Sequence, residues 1–129
     1  FQDLTNNYYD YVIVVDSLTL KIETILRFMC ERLGIATFKT RDKGGEKLVM
    51  EKLLDDMLSD LQDTPQKPTG FSETDRLMIK YSFTPKGHNL RNRVAHGLMD
   101  LWEYSFADIV ILLYLIIKLS TYEFNSNTN

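Results

Sequence analysis

Four scarcities bound this chain before any motif is considered. Cys30 is the only cysteine, so no intrachain disulfide can form and a thiolate zinc cluster is excluded. Histidine occurs only at positions 88 and 96. Long apolar runs are missing too: the longest, Ile109 to Ile117, falls well short of the roughly 18 residues a membrane span requires. Finally, no Asp or Glu occurs from Arg76 to Met99, although Arg76, Lys80, Lys86, Arg91 and Arg93 all lie there. An acidic chain of net charge −3 thus carries one locally basic segment, the kind of asymmetry that suits a phosphate-bearing partner.

What is present is globular. The 129 residues are 44% hydrophobic and 26% charged, which fits one domain with a real core and neither a disordered nor a membrane protein. Phe1 stands where an initiator Met would, and no cleavable signal pattern follows. The expectation is a cytoplasmic domain belonging to a longer chain with other domains, and no membrane contact for this segment.

Along the chain, Val15, Leu18, Ile22, Ile25, Leu26 and Met29 recur at three- and four-residue steps, predicting a first helix from Tyr8 to Leu33. Gly34 supplies its left-handed stop, with Ile35 folding back. Ile35 to Lys39 reads as a short extended connector and Arg41 to Gly45 as a polar turn. Met50, Leu53, Leu54, Met57, Leu58 and Leu61 predict a second helix over Glu46–Leu61, its wet side formed by Glu51, Asp55, Asp56 and Asp60. Pro65 and Pro68 mark a loop. Ser72, with Asp75 three residues on, opens a third helix that fades by Thr84-Pro85. After Gly87-His88, Asn89 is a good N-cap for a fourth. Ser105 and Asp108 repeat the cap pattern before a last helix, Ala107 to Tyr122, whose nearly all-round apolarity predicts a central position. No strand-period segment stands out. The expectation is an all-α, up-and-down bundle of four to five helices over residues 1–124, with a disordered tail at 125–129.

Chemistry concentrates in Asn89-Leu90-Arg91-Asn92-Arg93-Val94-Ala95-His96-Gly97. Asn92 and His96, four apart, share a helix face. Arg91 and His96 lie roughly 140° apart around the axis, so a long guanidinium in the first turn must swing to approach the imidazole's side. Free N–H groups and the positive dipole end at that turn favour a phosphate. An Arg to neutralise phosphoryl oxygens and a His to move a proton near neutral pH together suit a phosphodiester. A metal route is weaker. His96 has no nearby carboxylate, His88 lies across a glycine turn, and hydrolytic two-metal sites need several converging carboxylates. Against any chemistry stands the ordinary case, in which a His near a helix end caps carbonyls and an Arg-Asn pair decorates the surface.

The six residues Arg91 to His96 resemble the signature of the HEPN superfamily, all-α domains in which Arg, commonly followed by a polar residue, precedes His by four to six positions. Gly97 and the flanking Asn89-Leu90 and Leu98 resemble a branch with the motif RNxxxHG, related to the endoplasmic-reticulum membrane-associated RNA degradation protein. Leu26-Arg27, Gly34 to Lys39, and Leu53-Leu54-Asp55-Asp56 are similar to that branch as well.

The resemblance implies a HEPN-like bundle and a cofactor-free, metal-independent ribonuclease in which a 2′-hydroxyl attacks the adjacent phosphate. His96 would be the general acid or base, Arg91 the phosphate binder, and Asn92 would orient the imidazole or phosphate. Lys86 and Arg93 would hold flanking RNA. The composite site implies a homodimer joined through the motif helix, since one copy's motif supplies a single His. Glu23 and Arg27, four apart on the first helix, form either an ordinary surface ion pair or a support for Arg91. Two readings compete with the nuclease: a non-catalytic dimerisation or nucleotide-binding module of a larger protein, and a plain structural bundle.

Overall fold

The computed structural model describes residues 2–123, with side chains from residue 10 onward. The expected tail at 125–129 lies outside the described residues. In chain order the elements are α1 (Gln2–Arg32), β1 (Phe38–Lys43), β2 (Glu46–Glu51), α2 (Leu54–Asp60), α3 (Glu73–Phe83), α4 (Leu90–Ala95), a 3-10 turn (Leu101–Glu103) and α5 (Phe106–Ser120).

The spine is α1. Its stripe of Val15, Ile22, Leu26 and Met29 is fully or almost fully buried, and it packs against α5, α4, α2 and the 3-10 turn. Gly34 ends it in the left-handed region, at φ +72°. The Ile35 N–H then donates to the Cys30 carbonyl at 2.8 Å while the Ile35 side chain closes the core. This is the glycine stop with a hydrophobic return that the sequence suggests. Ser72 likewise caps α3, its hydroxyl accepting from the Asp75 N–H. The Asp75 carboxylate does not complete the box; it accepts from the Tyr122 hydroxyl. At Ser105 the box is complete, with Asp108 as its partner.

The second helix expected over Glu46–Leu61 is corrected. Its first part is strand β2, paired antiparallel with β1 so that Phe38 faces Glu51, Arg41 faces Leu48 and Lys43 faces Glu46. The fold of the described residues is therefore mixed α/β, five helices with a two-stranded sheet, and not all-α. The physical cause is the turn: Gly44 and Gly45 both adopt positive φ, +60° and +85°, the two-residue geometry whose twist matches paired strands. Every residue of both strands is exposed, so the ribbon buries no side chain. Its root is fastened instead. The Lys52 N–H donates to the Thr37 carbonyl at 2.8 Å, and Arg27 of α1 donates to the carbonyls of Lys52 and Thr37 at 2.9 and 3.5 Å. Lys39 bonds Asp56, and Lys52 bonds Asp60, both at 2.7 Å. The helical part of the expectation survives as α2, which buries Leu54, Met57 and Leu58.

The last helix is corrected in position. Ile109, Leu112, Leu115 and Leu119 of α5 face the core, but Phe106, Val110, Leu113, Tyr114 and Ile117 are exposed. It is a flanking helix, one face on α1 and one apolar face outward, because α1 occupies the centre. Among the described residues no helix is long and apolar enough to cross a membrane.

Candidate functional site

The motif is presented by a tightly wound loop between α3 and α4. The N–H groups of Gly87 and Asn89 both donate to the Thr84 carbonyl at 3.1 Å, and that of His88 donates to the Tyr81 carbonyl at 2.7 Å. Gly87 is obligatory here, because a β-carbon would stand 2.1 Å from the Tyr81 carbonyl oxygen. Asn89 then turns the chain in the left-handed region at φ +55°, and its side chain caps no backbone N–H. Asn89 Oδ1 accepts instead from Asn92 Nδ2 at 3.0 Å. The N-cap role expected of Asn89 thus becomes a side-chain bridge to Asn92. Asn is among the few residues that enter this conformation readily.

Helix α4 has only six residues, too few to be stable by itself. Tertiary contacts hold it. Leu90 is buried in the core. Arg91 Nε donates to Glu23 Oε2 at 2.8 Å, and Nη2 donates to Oε1 at 3.5 Å. Arg91 Nη1 also donates to Asn92 Oδ1 at 3.3 Å. Glu23 is shared: Arg27 Nη2 donates to its Oε1 at 3.2 Å. Glu23, Arg27, Arg91 and Asn92 therefore form one connected cluster, and Arg27 extends it to the root of the hairpin. Burial pushes the Glu23 carboxyl up, but the hydrogen bonds and charges of Arg91 and Arg27 outweigh this and hold it below its ordinary value. Glu51 also lies 3.7 Å from Arg27, so two guanidiniums face two carboxylates, and Arg91 keeps spare N–H donors.

His96 lies at the other end of the helix, as its C-cap residue. Gly97 stops the chain at φ +62°. The imidazole is exposed and has no hydrogen-bond or ion-pair partner among the described residues. Asn92, expected to share its face, gives its amide to Arg91 and Asn89 instead. Leu98, Leu101 and Trp102, which follow, are also exposed, so the imidazole is followed by an apolar stretch of surface.

The acid-free window of the sequence is not acid-free in space. Arg76 pairs with Glu73 at 2.6 Å, Arg91 with Glu23 and Arg93 with Glu103. Of the two cations expected to hold flanking RNA, Arg93 is thus engaged, while Lys86 is exposed. The charge of Lys86 is the main cause holding the neighbouring Lys80 ammonium below its ordinary value. That pair is the open cationic part of the segment.

Beside Arg91 lies a cleft of about 150 Å³ lined by Leu53, Leu54, Asp55, Phe83, Thr84, Pro85, Arg91 and Asn92. Asp55 and Phe83 were not legible as site residues, since both sit in ordinary helical patterns. A second cluster joins His88 Nε2 to Asp108 Oδ1 at 3.4 Å. Asp108 Oδ2 accepts from the Ser105 hydroxyl and N–H at 3.0 and 3.2 Å. Here the sequence signal was only the cap pattern. Cys30 is buried, and burial pushes its thiol up to about 11, which leaves it protonated and unreactive at neutral pH. Among the described residues no three His, Cys, Asp or Glu side chains converge on a possible metal position.

Comparison with protein-family models, with characterised proteins and with solved structures finds no match.

Proposed function

We propose that this chain is a metal-independent endoribonuclease domain of the HEPN type, with the β1–β2 hairpin inserted between its first two helices, and that it acts as a cytoplasmic homodimer on single-stranded RNA. The observation that carries the proposal is the division of labour along α4. Arg91 is fixed on a carboxylate at the edge of an open cleft, and His96 is left unpaired and exposed a turn and a half away. The chemistry divides in the same way. A base imidazole takes the proton from a 2′-oxygen, which forms a bond to the adjacent phosphorus. The bond from phosphorus to the 5′-oxygen breaks, and an acid imidazole protonates that leaving oxygen. Arg91 neutralises the non-bridging oxygens throughout. The products are a 2′,3′-cyclic phosphate and a 5′-hydroxyl. One His96 cannot begin in both protonation states at once, so two copies supply the pair. The exposed Leu98, Leu101 and Trp102 give the second copy an apolar surface to cover.

One observation favours the non-catalytic alternative, a dimerisation or nucleotide-binding module. Among the described residues no carboxylate or carbonyl orients His96, whereas working imidazoles commonly have such a partner. Incubating the protein with single-stranded RNA in EDTA, beside His96→Ala and Arg91→Ala, separates the two. Loss of one acid–base group lowers cleavage about 10²- to 10⁴-fold. Intact RNA with a dimeric wild type selects the module. Cleavage that EDTA abolishes overturns the metal-free route.

A further inference from the structure

Resting on that nuclease reading, we infer that the cleft beside Arg91 is a base subsite that selects guanine, with Asp55 as the selecting residue. The volume fits a ring: about 150 Å³ matches the size of a protein cavity that accepts benzene, and the open mouth leaves room for the remainder of a purine. The walls suit a flat aromatic face, since Leu53, Leu54, Phe83 and Pro85 line it. Phosphate and base ends are distinguished by charge. Arg91 lines the cleft with spare N–H donors, whereas the sole carboxylate in the lining is that of Asp55.

Asp55 is the exception on its helix. Asp56 and Asp60, its neighbours on α2, are each bound by a lysine at 2.7 Å. The Asp55 carboxylate is half-buried and makes no side-chain hydrogen bond or ion pair among the described residues. It offers two acceptor oxygens and no donor. Asn92, the remaining amide in the lining, already has its oxygen on Arg91 and its nitrogen on Asn89. The edge recognised must therefore present donors to a carboxylate. Guanine presents two adjacent ones, N1–H and the 2-amino group, and engages both oxygens. Adenine and cytosine offer an amino group beside a ring acceptor, and uracil one N–H between two carbonyls, whose lone pairs the carboxylate repels. Splayed single-stranded bases are read on this edge. The resulting order is guanine first, adenine and cytosine behind, and uracil last.

The test has two readouts on the intact protein. Guanosine, adenosine, cytidine and uridine 3′-monophosphates are titrated by calorimetry against wild type, Asp55→Asn and Asp55→Ala. In parallel, a mixed-sequence single-stranded RNA is cleaved and its cut sites are mapped. The expected result is guanosine monophosphate bound roughly 5- to 150-fold more tightly than uridine monophosphate, the range of one bidentate base contact. Both variants should lose that preference while keeping the wild-type thermal midpoint, and cut sites should cluster at guanine. RNA cut without base preference overturns the guanine subsite and leaves the nuclease standing. Selective guanosine monophosphate binding without any cleavage keeps the subsite and removes the nuclease. If no nucleotide binds, or if both variants still select guanine, the assignment to Asp55 is wrong.

Discussion

The two ends of α4 differ in how the fold treats them. At the arginine end, Arg91 is engaged by Glu23, Asn92 bridges to Asn89, and Arg27 carries the cluster on to the hairpin root. At the histidine end, five residues further into the motif, the His96 side chain has no hydrogen-bond or ion-pair partner among the described residues and is followed by exposed Leu98 and Trp102. A structural residue is normally held by its surroundings, so the arginine end alone is compatible with architecture. The exposed histidine end is open to a partner outside the chain. What the contrast teaches is that substitutions at the two ends should separate stability from activity.

The largest effect expected is on activity at the free end. His96→Ala should reduce RNA cleavage about 10²- to 10⁴-fold with a thermal midpoint within error of wild type, because no side-chain hydrogen bond or ion pair among the described residues is lost. A parallel fall in midpoint would show that His96 is structural. Next in size is the held end. Arg91→Ala removes one of two guanidiniums from a mostly buried carboxylate and should cost about 1–3 kcal/mol of stability in chemical denaturation, in addition to lowering activity. An unchanged denaturation midpoint would mean that the Glu23 contact is decorative.

The same contact gives a pH dependence with a definite sign. The Glu23 carboxyl is held below its ordinary 4.5 in the folded state. Its stabilisation is therefore fully present above that value and is lost as pH falls through the lower, folded-state value. Acid denaturation of wild type and Glu23→Gln should converge as pH drops below about 4.5, with the wild type more stable at pH 7. Parallel curves would show that Glu23 gains nothing from its two arginines. The smallest effect is expected at Arg93→Ala. Its partner Glu103 is partly exposed, and such pairs contribute about 0–1 kcal/mol. A large loss of RNA affinity there would restore Arg93 as a direct RNA contact.

Where local chemistry decides, the sequence was a sound guide. Gly34, Ser72 and Ser105 mark ends that depend on one side chain and its own turn, and the structure has helix ends at each. The hairpin is hidden because Met50 continues at helical spacing into the stripe of Leu53, Leu54, Met57 and Leu58, with Glu51-Lys52 reading as the wet side of one helix. The decisive signal was the Gly44-Gly45 pair, read only as a turn. It specifies a hairpin once both glycines adopt positive φ. The all-round apolarity of α5 was equally ambiguous, since an outward apolar face and a buried one have the same composition.

The site shows the same division. Arg91, Asn92 and His96 are contiguous and visible, whereas their surroundings are not. Glu23 lies 68 positions from Arg91, and its spacing to Arg27 leaves open both a helix-surface pair and a support for Arg91. Glu73 and Glu103, just outside the acid-free window, neutralise the arginines inside it. Charge along a chain is thus a poor guide to charge in space once the segment is folded among other helices. Asp55 falls within the Leu53-Leu54-Asp55-Asp56 resemblance, but nothing in the sequence separates it from Asp56 and Asp60, its lysine-bound neighbours on α2.

The most direct measurement of the central claim is the chemistry of the cut ends. Single-stranded RNA incubated with the protein in EDTA should yield fragments that mass spectrometry identifies as 2′,3′-cyclic phosphates and 5′-hydroxyls, and a 2′-deoxy residue at the scissile position should block cleavage there. Intact RNA at protein concentrations where the dimer forms, or fragments ending in 3′-hydroxyl and 5′-phosphate, would contradict it.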